Sequence, residues 1–203
     1  MKDIERRAIA AEFRVEGGEK PKIIGYAAKF DTLSEEIWGF REKIAPGAFK
    51  DAIGASDVRA LFNHDPNIVL GRNKAGTLTL VEDEIGLRYE ITPPDTQTAK
   101  DILESIKRGD VNQSSFAFSM RNGGVAQWED KPDGTSIRTI IKVAELFDVS
   151  PVTYPAYPDT ESGVRSAKQV FEEHQEERKQ VSPEAEAPDF FILRARLALK
   201  ETE

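Results

Sequence analysis

Short segments in which apolar and polar residues alternate recur along the first three quarters of the chain and constrain its fold more than any other feature. Two clear examples, Thr77–Val81 and Gly86–Thr92, are separated by a short acidic turn. Alternation with period two is typical of a strand with one buried face, and two such strands around a turn predict an antiparallel hairpin. Ala8–Val15 and Lys22–Phe30 form a similar pair. The chain is therefore predicted to be mainly β.

Two helices are predicted among the strands. Four apolar residues recur with helical spacing after the prolines at 93 and 94: Ala99, Ile102, Leu103 and Ile106. Asp95 is the candidate N-cap of this helix and Gly109 its stop signal. A shorter helix is predicted from about Pro46 to Ile53, because proline suits the first turn of a helix. The predicted fold class is α+β, mainly β, with a few helices packed on the sheets.

Gln113–Met120 (QSSFAFSM) is the strand with the sharpest division between its faces. Alternation places Ser115 with Ala117 and Ser119 on one face, and the phenylalanines at 116 and 118 on the other. Ser136–Phe147 is predicted to be one long strand later in the chain. In Gln113–Met120, Ser115 is therefore expected on a face without large side chains.

The composition changes after Pro158. Lys168–Gln180 is almost entirely charged or polar, and Ser182–Pro188 consists mostly of Pro, Glu and Ala. Such a composition cannot bury enough apolar surface to form a core. We therefore expect one folded domain over residues 1–160, a charged flexible tail or linker over 161–189, and a C-terminal docking segment over 190–203, where Phe190–Lys200 is apolar with basic residues.

Composition and charge exclude several functional classes. The chain has no cysteine, which removes disulfides, thiolate metal sites and cysteine nucleophiles. The formal net charge of -8 argues against a general nucleic-acid binder. No segment has the roughly 20 consecutive apolar residues of a membrane span. No histidine-rich metal motif and no glycine-rich phosphate loop are present, so we predict neither a metal nor another cofactor.

A serine nucleophile needs a base within hydrogen-bond reach, and the usual base is histidine. The chain has two histidines. His174 lies in the charged segment EEHQEE, where a solvated side chain is the simpler interpretation. His64 follows the apolar strand Val58–Phe62, in the polar turn NHDP. A histidine in a turn and a serine in a strand are each common without catalysis, so these residues alone leave the function open.

Taken together and in order, several motifs make the chain resemble the phage prohead proteases over about residues 5–160. They are Gly25–Ala27 (GYA), Ile44–Phe49 (IAPGAF), Leu61–Pro66 (LFNHDP), Leu70–Arg72 (LGR), Ser115–Phe118 (SFAF) and Leu146–Tyr157 (LFDVSPVTYPAY). That family is similar in core fold to the herpesvirus assemblins. The resemblance therefore implies a closed antiparallel β-barrel-like core.

The resemblance also implies site residues, matched motif by motif. Ser115 corresponds to the nucleophile, His64 to the base, and Asp148 to the third member. Glu145 is the alternative third member, although a period-two count places it on the opposite strand face from Asp148. Ser114 is the alternative nucleophile if the register is shifted by one residue, and it would then point to the other face.

By the same resemblance, residues 1–160 are a protease domain. The implied function is a serine endopeptidase that cleaves scaffolding extensions of capsid proteins, and itself, during prohead maturation. The expected partners are the major capsid protein or scaffold extensions and other copies of the chain, with no nucleic acid and no membrane. The expected location is the host cytoplasm, inside the immature capsid. Two alternatives remain: a non-catalytic structural phage component with a related barrel, and a small-molecule esterase that uses the same dyad.

Overall fold

A computed structural model describes residues 4–10, 13–18, 21–154 and 161–181. Within these ranges the chain forms twelve strands, three α helices and one short 3₁₀ helix at Asn73–Ala75. The strands are β1 Glu5–Ala10, β2 Arg14–Glu16, β3 Lys22–Lys29, β4 Phe40–Ile44, β5 Arg59–Phe62, β6 Asp65–Arg72, β7 Leu78–Glu82, β8 Gly86–Ile91, β9 Gln113–Ser119, β10 Val125–Asp130, β11 Ser136–Lys142 and β12 Glu145–Val152. The helices are α1 Lys50–Ala55, α2 Gln97–Arg108 and α3 Glu161–Val181.

The strands assemble into three sheets. The largest has the order β1-β9-β12-β5-β6, the second β2-β3-β8-β7, and the third β10-β11-β4. Most neighbours are antiparallel, whereas β12–β5 and β11–β4 are parallel. The predicted hairpin of β7 and β8 is present. The predicted pairing of Ala8–Val15 with Lys22–Phe30 holds only for β2, because Ala8–Ala10 belong to β1, which pairs with β9. The prediction of a mainly β fold with a few helices is therefore confirmed.

The predicted closed barrel is wrong: among the described residues, each of the three sheets ends in two edge strands. A barrel requires every strand to be hydrogen-bonded on both sides by another strand. At β4 the preceding segment occupies that position, because Asp31 donates to the carbonyl of Ile44 and Ser34 to that of Glu42. These loop contacts satisfy the edge of β4 and stop the sheet from continuing there.

The core lies on the phenylalanine face of β9. Phe116 and Phe118 are fully buried, stacked on each other, and belong to one apolar cluster with Val149 and Leu146 of β12. Residues of the second sheet and the apolar face of α2 complete the same cluster. The predicted division of β9 into two faces is confirmed, and its serine face is consequently directed away from the core.

Two predicted helices are present with different starts. In α2 the N-cap is Thr96, whose hydroxyl accepts a hydrogen bond from the amide of Ala99, so the prediction of Asp95 was one residue early. Gly109 ends α2 with φ of 83°, a conformation that glycine adopts without strain. The shorter helix, α1, begins at Lys50, later than the predicted proline start.

Ser136–Phe147 is not one strand. The chain leaves β11 at Lys142 and starts β12 at Glu145, in a different sheet. Between them Val143 donates to the carbonyl of Ala48 and Ala144 to that of Ser119, so the backbone changes sheets without losing hydrogen bonds. As a result β12 extends to Val152 and lies beside β9.

The predicted tail contains α3, a helix with charged residues along most of its length. None of the helices in the described part of the chain is both long and apolar enough to cross a membrane. The predicted docking segment, residues 190–203, lies outside the described residues. The division at residue 160 into a protease domain and a tail stays a prediction.

Candidate active site

His64 lies in the tight turn between β5 and β6. Phe62 pairs with Asp65, which leaves Asn63 and His64 as a two-residue loop with φ values of 53° and 57°. Two successive positive φ angles are characteristic of type I′ hairpin turns. Asparagine suits the first position, whereas the second position usually holds glycine, so histidine there has a backbone cost on the order of 1 kcal/mol. The chain therefore maintains an unfavourable backbone conformation at this histidine.

Asn63 fastens this turn to the end of β12. Its amide donates to the carbonyl of Pro151 at 3.1 Å. Its side-chain oxygen accepts from the amide of Thr153 at 2.9 Å and from the Thr153 hydroxyl at 3.0 Å. The turn is thus held at three points close to β12, and the imidazole of His64 is directed toward the neighbouring strands.

Ser115 and Asp148 lie on adjacent antiparallel strands. Ser115 of β9 is directly opposite Ser150 of β12, and Ala117 is opposite Asp148. Directly opposed residues of an antiparallel pair share a face. The serine face of β9 therefore continues across β12 as the face that carries Asp148 and Ser150.

The imidazole of His64 bridges these two strands. Its Nε2 lies 2.6 Å from Ser115 Oγ, and its Nδ1 lies 2.6 Å from Asp148 Oδ1. The side chains of His64 and Asp148 are each 10% exposed, and Ser115 is fully buried. The structure thus brings together the three residues Ser115, His64 and Asp148, which the sequence singled out from distant parts of the chain.

The alternative residues lie elsewhere. Ser114 is on the core face of β9, where its hydroxyl lies 3.0 Å from that of Tyr89. Glu145 pairs with Ser119 at the far end of β12, whereas His64 Nδ1 contacts Asp148. His174 lies in α3.

The period-two count was wrong about the face of Glu145. The register of β12 shifts at Phe147, so that Glu145, like Asp148, is opposite a residue of the serine face of β9. A β-bulge of this kind adds one residue to a strand and reverses the expected alternation. Glu145 therefore shares a face with Asp148, and its position along the strand is what separates it from His64.

The Ser115 hydroxyl has a second neighbour, the backbone carbonyl of Arg7 in β1, at 2.9 Å. When the imidazole is neutral with its proton on Nδ1, the single hydroxyl proton serves either His64 Nε2 or the Arg7 carbonyl. When Nε2 is protonated, it donates to Ser115, and the hydroxyl donates to the carbonyl. The same heavy-atom arrangement therefore provides hydrogen bonds for both protonation states of the ring.

The strand that carries this carbonyl is anchored by a buried ion cluster, formed by Glu5, Arg7, Glu42 and Arg138. Each carboxylate contacts both guanidinium groups at 2.6 to 3.0 Å, and Arg138 reaches the second oxygen of Glu5 at 3.2 Å. Burial alone would raise the pKa of Glu5, but the charges of Arg7 and Arg138 hold it below its ordinary value. Burial would likewise lower the pKa of Arg7, which Glu42 and Glu5 raise above its ordinary value.

Sequence reasoning missed Ser150 and the Arg7 carbonyl. Ser150 is two residues after Asp148, so strand periodicity alone places the two on one face and could have identified it. The contact of the Arg7 carbonyl depends on the pairing of β1 with β9, which no local pattern indicates.

Comparisons with known proteins identify the family of the chain. Residues 8–177 match the family of caudovirus prohead serine proteases. Among solved structures, the chain is similar to the bacteriophage T4 capsid assembly protease, with 10% identity and a TM-score of 0.38, over 70% of this chain and 98% of that one. No curated protein matches the chain. Because the family match spans most of the sequence, this chain belongs to the caudovirus prohead serine proteases.

Proposed function

We propose that Ser115 is the nucleophile of this serine peptidase, His64 its general base, and Asp148 the acid that orients the base. The observation that carries the proposal is the continuous chain of two 2.6 Å contacts from Ser115 Oγ through the imidazole to Asp148 Oδ1. A serine hydroxyl becomes an effective nucleophile when a base lies within hydrogen-bond reach and a third group orients that base. The two contacts supply both of these conditions.

In the acylation step His64 Nε2 takes the proton of Ser115 Oγ while that oxygen attacks the carbonyl carbon of the scissile peptide bond. Asp148 accepts the Nδ1–H bond throughout and stabilises the imidazolium that forms. The imidazolium then protonates the leaving amine, which breaks the C–N bond and leaves an acyl ester on Ser115. Water activated by the same imidazole hydrolyses that ester and restores the hydroxyl.

The Arg7 carbonyl sets a condition on the first step. Attack requires the hydroxyl proton to face His64 Nε2, so its hydrogen bond to the carbonyl must be released. The O–H group needs only to rotate, because both acceptors already lie within reach. The resting site is therefore poised between a hydroxyl that donates to the backbone and one that donates to its base.

The substrates we propose are the scaffolding extensions of capsid proteins, cleaved inside the immature shell in the host cytoplasm. Membership in the prohead protease family supports this substrate class. We also propose that the chain cleaves itself after about residue 158, where its composition changes, and that residues 190–203 dock the enzyme in the shell. A non-catalytic structural role is not favoured, since the family match is to proteases and the three residues are in contact.

The experiment that tests the proposal is intact-mass spectrometry of the purified chain over time. Wild type and His174→Ala should lose the C-terminal segment, whereas Ser115→Ala and His64→Ala should stay intact. His174→Ala is the matched control, because it removes the other histidine of the chain. Identical fragments from Ser115→Ala would overturn the assignment of the nucleophile. If wild type and all variants stay intact, and an added capsid-protein extension is not cleaved either, the proposed activity is overturned.

A further inference from the structure

We infer that Ser150 is a positioning residue, whose hydroxyl holds the Asp148 carboxylate in the orientation that receives the Nδ1–H of His64. The inference rests on the proposed function, since it concerns the acid of the proposed triad. It adds a fourth side chain to the site, placed on the strand beside the nucleophile.

Ser150 is buried at the centre of the largest sheet. It is fully inaccessible to solvent and is the cross-strand partner of Ser115. Its hydroxyl lies 2.8 Å from Asp148 Oδ1 and 3.4 Å from His64 Nδ1. Ser150 therefore contacts the two residues that support the nucleophile and is shielded from water that would otherwise compete for its proton.

Counting protons assigns the direction of these contacts. The Nδ1 proton of His64 is directed to Asp148 Oδ1, which is only 2.6 Å away. Ser150 has a single hydroxyl proton, and the nearest acceptor is the same carboxylate oxygen. Asp148 Oδ1 thus accepts two hydrogen bonds, one from the imidazole and one from Ser150. Two donors converging on one oxygen restrict rotation of the carboxylate about its own bonds.

Removal of the Ser150 hydroxyl would leave the carboxylate with one of these two donors. A hydrogen bond to a charged group favours the charged form, so its loss makes the ionised carboxylate harder to maintain. The onset of nucleophile activation therefore moves to higher pH, because the carboxylate accepts the Nδ1–H only in its ionised form, whereas a purely structural defect would leave the onset unchanged.

The test uses a fluorophosphonate probe, which phosphonylates an activated serine: a bond forms between Oγ and phosphorus, and fluoride leaves. For Ser150→Ala we expect the maximal labelling rate to fall between about 10-fold and 100-fold, the range for a hydrogen bond to a charged group. Half-saturating probe concentration should stay unchanged. The pH at which labelling reaches half its plateau should increase, and Ser150→Thr, which keeps the hydroxyl, should recover most of the rate.

Ser136→Ala is the matched control. Ser136 is also a buried strand serine, and its hydroxyl donates to the carboxylate of Asp130 at 2.6 Å, in a different sheet. It therefore loses the same kind of hydrogen bond without contact with the proposed site. Equal rate loss and equal displacement of the pH profile in Ser136→Ala and Ser150→Ala would overturn the inference.

A measurement that does not depend on activity separates this inference from the proposed function. The Nδ1 proton of His64 can be assigned by NMR from its disappearance in His64→Gln. In Ser150→Ala it should exchange faster with water, because the acceptor is less fixed, while in Ser136→Ala its exchange should match wild type. Unchanged exchange in Ser150→Ala would overturn the role of Ser150, whereas a wild-type chain that no probe labels would overturn the proposed activity.

Discussion

Among the described residues, two buried polar clusters contact the same strand, β1, and differ in how their charges and protons are matched. In the ion cluster, two carboxylates and two guanidinium groups are matched, and all four carboxylate oxygens accept a hydrogen bond. In the triad network, formed by Ser115, His64, Asp148 and Ser150, four contacts share three protons when the imidazole is neutral, because the Ser115 hydroxyl has two acceptors. The ion cluster has no proton that changes position, whereas the triad network depends on such a proton.

This difference separates stability from chemistry within one fold. Removal of any one member of a matched buried ion cluster lowers the unfolding free energy, because a charge without its partner is costly in the interior. A network with a spare acceptor lets a proton change position with little movement of heavy atoms. The ion cluster therefore holds β1 against β4 and β11. The triad network includes the Arg7 carbonyl of that strand, next to Ser115.

The largest effect we predict is on chemistry at His64. Replacement His64→Gly should lower the rate of fluorophosphonate labelling by about 10² to 10⁴-fold, the usual contribution of a general base. Its unfolding free energy should change by less than about 1 kcal/mol, because relief of the positive-φ strain offsets the lost hydrogen bonds. Urea denaturation beside the labelling assay checks both. A large loss of stability with normal labelling would show that His64 serves stability rather than chemistry, which contradicts the role assigned to the triad network.

The next effect is on stability at Arg138. Arg138→Met leaves two buried carboxylates facing one guanidinium, so the unfolding free energy should fall by about 3 to 5 kcal/mol. The labelling rate of the protein that remains folded should match wild type. The unfolding free energy is measured from urea denaturation curves.

The double variant Glu42→Leu with Arg138→Met is the control for charge balance. It removes one charge of each sign and leaves Glu5 paired with Arg7, so it should be more stable than Arg138→Met alone. A double variant that is less stable than Arg138→Met would show that packing, rather than charge matching, accounts for the cluster.

A smaller effect is predicted on the unfolding free energy at acidic pH. Because the ion cluster lowers the pKa of Glu5 below its ordinary value of 4.5, this group adds stability that is fully present above that pH and is lost as pH falls through its folded pKa. Glu5→Gln lacks this titration, so its stability should fall less steeply in acid, by at most about 1.4 kcal/mol per pH unit for one proton. Equal slopes for the two proteins in urea denaturation below pH 4.5 would contradict the charge pairing.

The smallest effect is predicted at Ser114, the neighbour of the nucleophile on the other face of β9. Ser114→Ala loses a buried hydrogen bond with Tyr89, which should cost about 0.5 to 1.5 kcal/mol. Labelling should be unchanged, since His64 contacts Ser115. Loss of labelling in this variant would mean that the register of β9 differs from the one described.

Strand periodicity predicted the two faces of β9 correctly because its serines and phenylalanines alternate without interruption. It was wrong about the face of Glu145, because the bulge at Phe147 adds a residue that no local pattern announces. The closed barrel was implied by the family resemblance and not by periodicity, and the hydrogen bonds that cap β4 come from an irregular segment that none of the motifs includes. Periodicity applies to regular strands, whereas the face of Glu145 and the edge of β4 are determined by irregular backbone.

The order of motifs, by contrast, pointed to residues that the fold brings into contact from three separate segments. Ser115, His64 and Asp148 each have a simpler interpretation alone, and no spacing rule links them. Ser150 was within reach of periodicity, since it shares a face with Asp148. The Arg7 carbonyl was not, because a backbone atom leaves no signature in the sequence.

Peptide mapping of the fluorophosphonate adduct identifies the activated serine, because the adduct increases the mass of the peptide that contains it. We predict one adduct, on Ser115, in wild type and in His174→Ala, and its loss in His64→Gly. An adduct on another serine, or an adduct on Ser115 that forms equally fast without His64, would contradict it.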